Sequence, residues 1–180
     1  MDNIYRQETR RQRYDKKLKT ARTMPVSVAS INFSREANIA YVVRSAACFG
    51  ADEVMVIGST PNKDLMNDLS GSTYDYVKFR KFSTPSDFIR YCEDNNLNII
   101  SLEPPGEYNN SISLHDFKFD FSRRNVICVG GETVGLTMDI IVKSQCVYIE
   151  MMGPGYCLNT SQAANIALYE AARQYARRLQ

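Results

Sequence analysis

Three stretches of this 180-residue chain combine residue types and spacings able to do chemistry. In the first, Ile39, Val42, Val43 and Ala46 share one helical face at about 100° per residue. Asn38, Tyr41, Arg44 and Ser45 then cluster on the opposite face. Arginine is permanently charged, and its five donors suit phosphate. The plain alternative is the solvent-facing side of an amphipathic helix. The second stretch, Gly130-Gly131-Glu132-Thr133-Val134-Gly135-Leu136, carries three glycines that let the backbone turn tightly and approach a ligand. Leu136-Thr137 stands where a phosphate loop needs Lys-Ser/Thr, and Glu132 would repel a phosphate. An amine or sulfonium ligand fits better, or a structural cap. The third, Gly153-Pro154-Gly155-Tyr156-Cys157-Leu158-Asn159-Thr160-Ser161, starts like a dinucleotide fingerprint but has Leu158 at the third glycine position. What remains is a loop into a helix capped by Asn159 or Thr160, with N-terminal donors ready for an acceptor group.

The elements that must position these residues alternate along the chain. Strands are expected at Val26–Ile31, Glu53–Ile57, Leu97–Leu102, Asn125–Val129 and Cys146–Met151. Helices are expected at Arg35–Phe49, Asn62–Leu69, Pro85–Asn95, Leu136–Lys143 and Asn159–Leu179. Ser34 or Asn32 would cap the Arg35–Phe49 helix, and Gly50 would end it. Strands separated by helices predict an α/β fold, a mostly parallel sheet flanked by helices. The stretch Ser101–Arg124, with Pro104, Pro105, Gly106, Asn109 and Asn110, is expected to be a long loop with room for one short element.

Composition narrows the classes. Hydrophobic residues make up 44% and charged residues 23%, the balance of one globular domain. No apolar run approaches the ~20 residues of a bilayer span, and the first 23 residues lack the apolar core of a secretory signal. A cytoplasmic protein without a membrane segment is the expectation. Five cysteines without a CxxC read as reduced, mostly buried thiols. With His115 the single histidine, no metal site is expected and triad chemistry is disfavoured. Residues 1–23 carry eight cations (Arg6, Arg10, Arg11, Arg13, Lys16, Lys17, Lys19, Arg22) against three acids, while the whole chain is only +2. A basic arm over 1–23 on a body over 24–180 points to a polyanion partner or to a solvated helical tail.

Together the three stretches resemble the motifs of the SpoU/TrmH family of RNA ribose 2′-O-methyltransferases, in the SPOUT superfamily. The family's Asn-x-Gly-x-x-x-Arg-(Ser/Thr)-Ala is matched by Asn38, Arg44, Ser45 and Ala46, and its Gly-x-Glu-x-x-Gly-Leu by Gly130, Glu132, Gly135 and Leu136. Its third motif is matched by Ile149-Glu150-Met151 and Cys157-Leu158-Asn159-Thr160-Ser161. The similarity runs from about Pro25 to Arg178. Ala40, Glu150 and Cys157 depart from the family's glycine, proline and serine; a thiol is a weaker donor than a hydroxyl.

The resemblance implies a C-terminal trefoil knot, an obligate homodimer and S-adenosyl-L-methionine as methyl donor. Donor contacts would come from Leu102, Gly130, Gly131, Ile149, Met151, Cys157 and Leu158. Arg44 would act on the ribose hydroxyl with the substrate phosphate, supported by Asn38 from the same helix. Asn159 would position ribose or donor, and Glu132 would order the second loop. Arg10, Arg11, Arg13 and Arg44 would contact RNA, with Arg173, Arg177 and Arg178 at the C-terminus. Short extensions around the catalytic domain favour tRNA over rRNA. The rival readings are a non-catalytic RNA-binding protein with the same fold, a SPOUT base methyltransferase and an unrelated nucleotide enzyme.

Overall fold

Apolar runs become buried strands close to where the sequence places them. Residues 8–60, 62–106 and 110–180 are described by the computed structural model; Arg6 of the arm and Asn109 of the long loop lie outside them. The strands are β1 (Val26–Ile31), β2 (Glu53–Ile57), β3 (Lys78–Phe82), β4 (Asn98–Leu102), β5 (Ile112–Ser113), β6 (Asn125–Gly130) and β7 (Gln145–Tyr148). They form one sheet in the order β3-β2-β1-β6-β4-β7-β5. Every neighbouring pair is parallel. All six residues of β1 and all five of β2 are buried, as befits strands covered on both faces.

The helices are α1 (Arg10–Leu18), α2 (Glu36–Phe49), α3 (Lys63–Leu69), α4 (Pro85–Asp94), α5 (Met138–Ile141) and α6 (Thr160–Arg178). On one face Ile39, Val42 and Val43 of α2 and Ala164, Ala167 and Leu168 of α6 pack on Val28, Val54 and Ile127. On the other, Phe88 and Cys92 of α4 and Ile140 of α5 cover Ala29, Met55 and Val126. Connections β1→β2→β3 run one way from the centre, and β4, β7 and β5 lie the other way. A reversal of this kind leaves a crevice at the carboxyl ends of the strands.

Several expectations change. β3, Lys-Phe-Arg-Lys-Phe, was not among the expected strands: among the described residues it pairs only with β2, and its three cations are exposed beside two half-buried phenylalanines, as on a protected sheet edge. β7 ends at Tyr148 rather than Met151, and α5 is a single turn rather than Leu136–Lys143. Part of the basic arm is helical, started by a reciprocal capping box between Thr9 and Gln12. Neither Ser34 nor Asn32 caps α2; Arg35 holds that position without a side-chain bond, because Ser34 donates elsewhere. Cys92, Cys128 and Cys146 are buried while Cys48 and Cys157 are exposed, and all five are free thiols. Among the described residues no helix is long and apolar enough to cross a membrane.

Gly50 does end α2, in the left-handed conformation at φ +73°. A Cβ there would fall 2.3 Å from the Arg22 carbonyl oxygen. Gly50→Ala therefore combines a steric clash with left-handed strain, and should cost about 2 kcal/mol, measured as a lower denaturant midpoint.

Candidate functional site

The crevice is built from the carboxyl ends of the central strands. Ile31 of β1 stands beside Gly130 of β6, and Leu102 of β4 beside Val147 of β7, two residues before Ile149. From Gly130 the chain folds back on itself, with the Gly135 N–H donating to the Gly131 carbonyl at 3.0 Å. A Cβ on Gly130 would lie 2.1 Å from the Gly135 carbonyl carbon, and one on Gly131 would lie 2.2 Å from the Asn32 oxygen. Both positions exclude any side chain. Gly135, at φ +68°, is different: a Cβ there meets only the Glu103 Oε1, at 3.8 Å. The space over this turn is open.

Glu132 is where the three chemical stretches meet. Its Oε2 accepts the Ser34 N–H at 2.9 Å and the Ser34 hydroxyl at 2.8 Å. Its Oε1 accepts the Asn38 amide. The Asn38 oxygen in turn accepts the Asn159 amide at 3.1 Å. The Asn159 oxygen accepts the Ser161 N–H at 2.9 Å and so caps α6. Ser161 Oγ sits within reach of both asparagine oxygens. Asn38 is therefore buried, not on a solvent face. Seven residues along α2, Ser45 Oγ donates to Asn165 of α6 at 2.9 Å, so this side of the helix faces a second helix. Helical periodicity separates apolar from polar but does not show that a polar stripe will be covered.

Arg44 is not part of this network. It is exposed, and its guanidinium lies over the turn after α3, where a Cβ on Gly71 would come within 3.4 Å of Nη1. Among the described residues no hydrogen bond or ion pair engages it. The arm helix rests on the same turn. Tyr14 donates its hydroxyl to the Gly71 carbonyl at 3.0 Å, Tyr76 donates to Asp15 at 2.9 Å, and the two rings meet edge to face at 5.4 Å. Arg10 and Arg11 are exposed and Arg13 is half-buried on that helix. In the third stretch Ile149 and Leu158 are half-buried, while Met151, Cys157 and Asn159 are exposed.

Sequence reasoning did not find Ser34 and Ser161 as the partners of Glu132 and Asn38, nor the tyrosine contacts of the arm. Small hydroxyl residues carry no signal of their own; only their positions in space do. Among the described residues no group of acids, cysteines and histidine is arranged to hold a metal ion.

Partial burial alone would raise the Glu132 pKa, but the bonds from Ser34 and Asn38 outweigh it and hold the carboxyl at about 2, against an ordinary 4.5. A depressed pKa stabilises the folded state above the unfolded value and loses that contribution as the pH falls through the folded one. Glu132→Gln should be less stable than wild type, with the gap complete above about pH 4.5 and closing toward pH 2. Denaturant midpoints across that range check this; a constant gap would mean the carboxylate is not the linked group.

Residues 25–169 match the SpoU rRNA Methylase family. The tRNA (guanosine(18)-2′-O)-methyltransferase of Escherichia coli is 24% identical over 138 residues, which is 76% of this chain and 58% of that protein. The 23S rRNA (guanosine-2′-O-)-methyltransferase of Acinetobacter baylyi is 50% identical over 60 residues, 32% of this chain and 23% of the other. This chain thus spans little more than half of the E. coli relative. Among solved structures, the SpoU methyltransferase AviRb of Streptomyces viridochromogenes, in complex with AdoMet, superposes with a TM-score of 0.72 at 23% identity, over 87% of this chain and 63% of that one. The match over residues 25–169 takes in all three chemical stretches, and the protein belongs to the SpoU rRNA Methylase family.

Proposed function

We propose that this protein transfers the methyl group of S-adenosyl-L-methionine to a ribose 2′-hydroxyl of RNA, with tRNA as the first substrate class. The observation that carries the reading is the Glu132–Asn38–Asn159 network, which ties all three motifs together at the open turn over Gly135. The E. coli relative is named for tRNA and the A. baylyi relative for rRNA. A relative named for tRNA matches over 94% of this chain at 23% identity, which favours that substrate.

The residues at the strand edge fit this donor. Open space above Gly135, and the half-buried apolar Leu102, Ile149 and Leu158, offer walls and backbone groups of the kind that hold an adenine. Gly130, Gly131, Met151 and Cys157 complete the set proposed to contact it. The bound donor supplies a methyl group already activated on a sulfonium. The chain must orient the hydroxyl in line with that methyl and help its proton leave.

Arg44 is the residue proposed for this step. A guanidinium is a poor base, since its pKa exceeds about 12. Its part is to anchor the neighbouring phosphate and stabilise the alkoxide as it develops. Having no carboxylate partner among the described residues, it has its donors free for that phosphate. Asn159 would position ribose or donor, while Asn38 and Glu132 hold Asn159 in place. The cations Arg10, Arg11 and Arg13 would extend the RNA contact along the arm.

The reading includes a C-terminal trefoil knot, a homodimer and a cytoplasmic location. Met152 and Tyr156, 100% and 97% exposed, are large apolar side chains of the kind a second subunit covers.

Arg44→Ala should lower kcat by about two orders of magnitude or more while S-adenosylmethionine binding stays within about twofold. Single-turnover assays on tRNA, paired with calorimetry, test this; unchanged kcat would remove Arg44 from the mechanism. Wild type that binds tRNA without methylating it or rRNA would turn the reading to a non-catalytic RNA-binding protein. Replacing Arg10, Arg11 and Arg13 together with alanine should weaken RNA binding and flatten its salt dependence, by roughly 0.7–0.9 in log–log slope for each phosphate no longer neutralised. An unchanged slope would make the arm structural only.

A further inference from the structure

Among the described residues, partly buried carboxylates come with cations or with several donors, and one does not. Glu53 is paired with Arg80 at 2.9 Å, and Asp52 with Lys78 and Arg124 at 3.0 and 2.8 Å. Asp87 is paired with Arg90 and Glu170 with Arg173, each at 2.6 Å. Glu132 has no cation but accepts from Ser34 twice and from Asn38. Glu103 has neither. Its side chain accepts the Leu136 N–H at 3.3 Å, and among the described residues no cation pairs with it. Burial accordingly pushes its carboxyl pKa up, with the Leu136 bond pulling the other way.

Its position gives this isolation a meaning. Glu103 directly follows β4, in the middle of the sheet's carboxyl edge, and its backbone N–H is held by the Val147 carbonyl at 2.9 Å. Among the described residues its Oε1 is the sole neighbour of the space over Gly135, at 3.8 Å from a Cβ built there. The acid of the glycine loop left two readings, a cationic ligand or a structural cap, and the bonds from Ser34 and Asn38 make Glu132 the cap. A cation at this edge would meet Glu103 instead.

We propose that Glu103 is the counter-charge for the donor's sulfonium, so that the pocket distinguishes S-adenosylmethionine from S-adenosylhomocysteine. This rests on the donor-site reading above. The two ligands share adenine, ribose, ammonium and carboxylate and differ in the methyl group and the charge on sulfur. A carboxylate beside that sulfur favours the donor and releases the product, which has lost the charge. The same contact stabilises the donor before transfer, so Glu103 is a specificity residue rather than a source of rate.

The experiment is calorimetric titration of the full chain, wild type and Glu103→Gln, with each of the two ligands. Glutamine keeps an oxygen for the Leu136 N–H and removes only the charge. Wild type should prefer S-adenosylmethionine, and Glu103→Gln should weaken that ligand roughly tenfold while leaving S-adenosylhomocysteine within about twofold. Retained product affinity also reports an intact pocket. Equal weakening of both ligands, or no change in either, would overturn the assignment. Wild type that binds neither ligand would instead overturn the donor site itself.

Discussion

A carboxylate can only accept hydrogen bonds, and the consequences of that for Glu132 run through the whole site. Because Glu132 accepts, Asn38 must turn its amide nitrogen toward it. The Asn38 oxygen is then left facing Asn159, which must donate with its own nitrogen, leaving the Asn159 oxygen to cap α6. One ionised group thus sets the orientation of two amides in sequence and the start of the longest helix. The partners are 94 to 123 residues apart in the chain. Protonating or removing that carboxylate would leave buried polar groups without partners, which is more costly than the loss of any one bond.

The sheet makes this convergence possible. In a parallel sheet all strands end on the same edge, so the turns after β1, β4, β6 and β7 are neighbours however far apart they lie in sequence. Helices α2 and α6 pack side by side on one face, which brings both of their N-termini to that edge beside the glycine loop. The opposite edge has a different task. There Glu53, buried at the start of β2, takes a hydrogen bond from Arg80 at 2.9 Å and has Arg124 at 3.8 Å. Mutual pairing at the amino edge is structural. At the carboxyl edge Glu103, and beyond it Arg44, have no ion-pair partner among the described residues.

Arg44 and the arm are brought together by a turn, not by charge. Gly71 at φ +69° presents its backbone to the guanidinium on one side and its carbonyl to Tyr14 on the other. A helix with no buried residue is thereby placed next to an exposed arginine, and cations that would repel one another are held close by tyrosine contacts. Such a surface concentrates positive charge, which attracts polyanions in general.

The α/β class with its parallel sheet, strand positions β1 and β2 and the glycine loop were legible in the sequence, because they follow from local periodicity and from what each side chain can do. Buried parallel strands are continuous apolar runs, and Gly50 sits where a helix must stop. β3 was hidden because an edge strand needs little apolar character and here holds three cations to two phenylalanines. The burial of Asn38 was hidden as well, since a polar helix face looks the same whether water or another helix lies against it. The sequence by itself determined which groups could donate, accept or carry charge, and that three motifs occur in order. Only the tertiary structure decided which of these groups satisfy one another and which are left over. That choice depends on contacts across a hundred residues or more, where neighbours in space carry no signal in spacing.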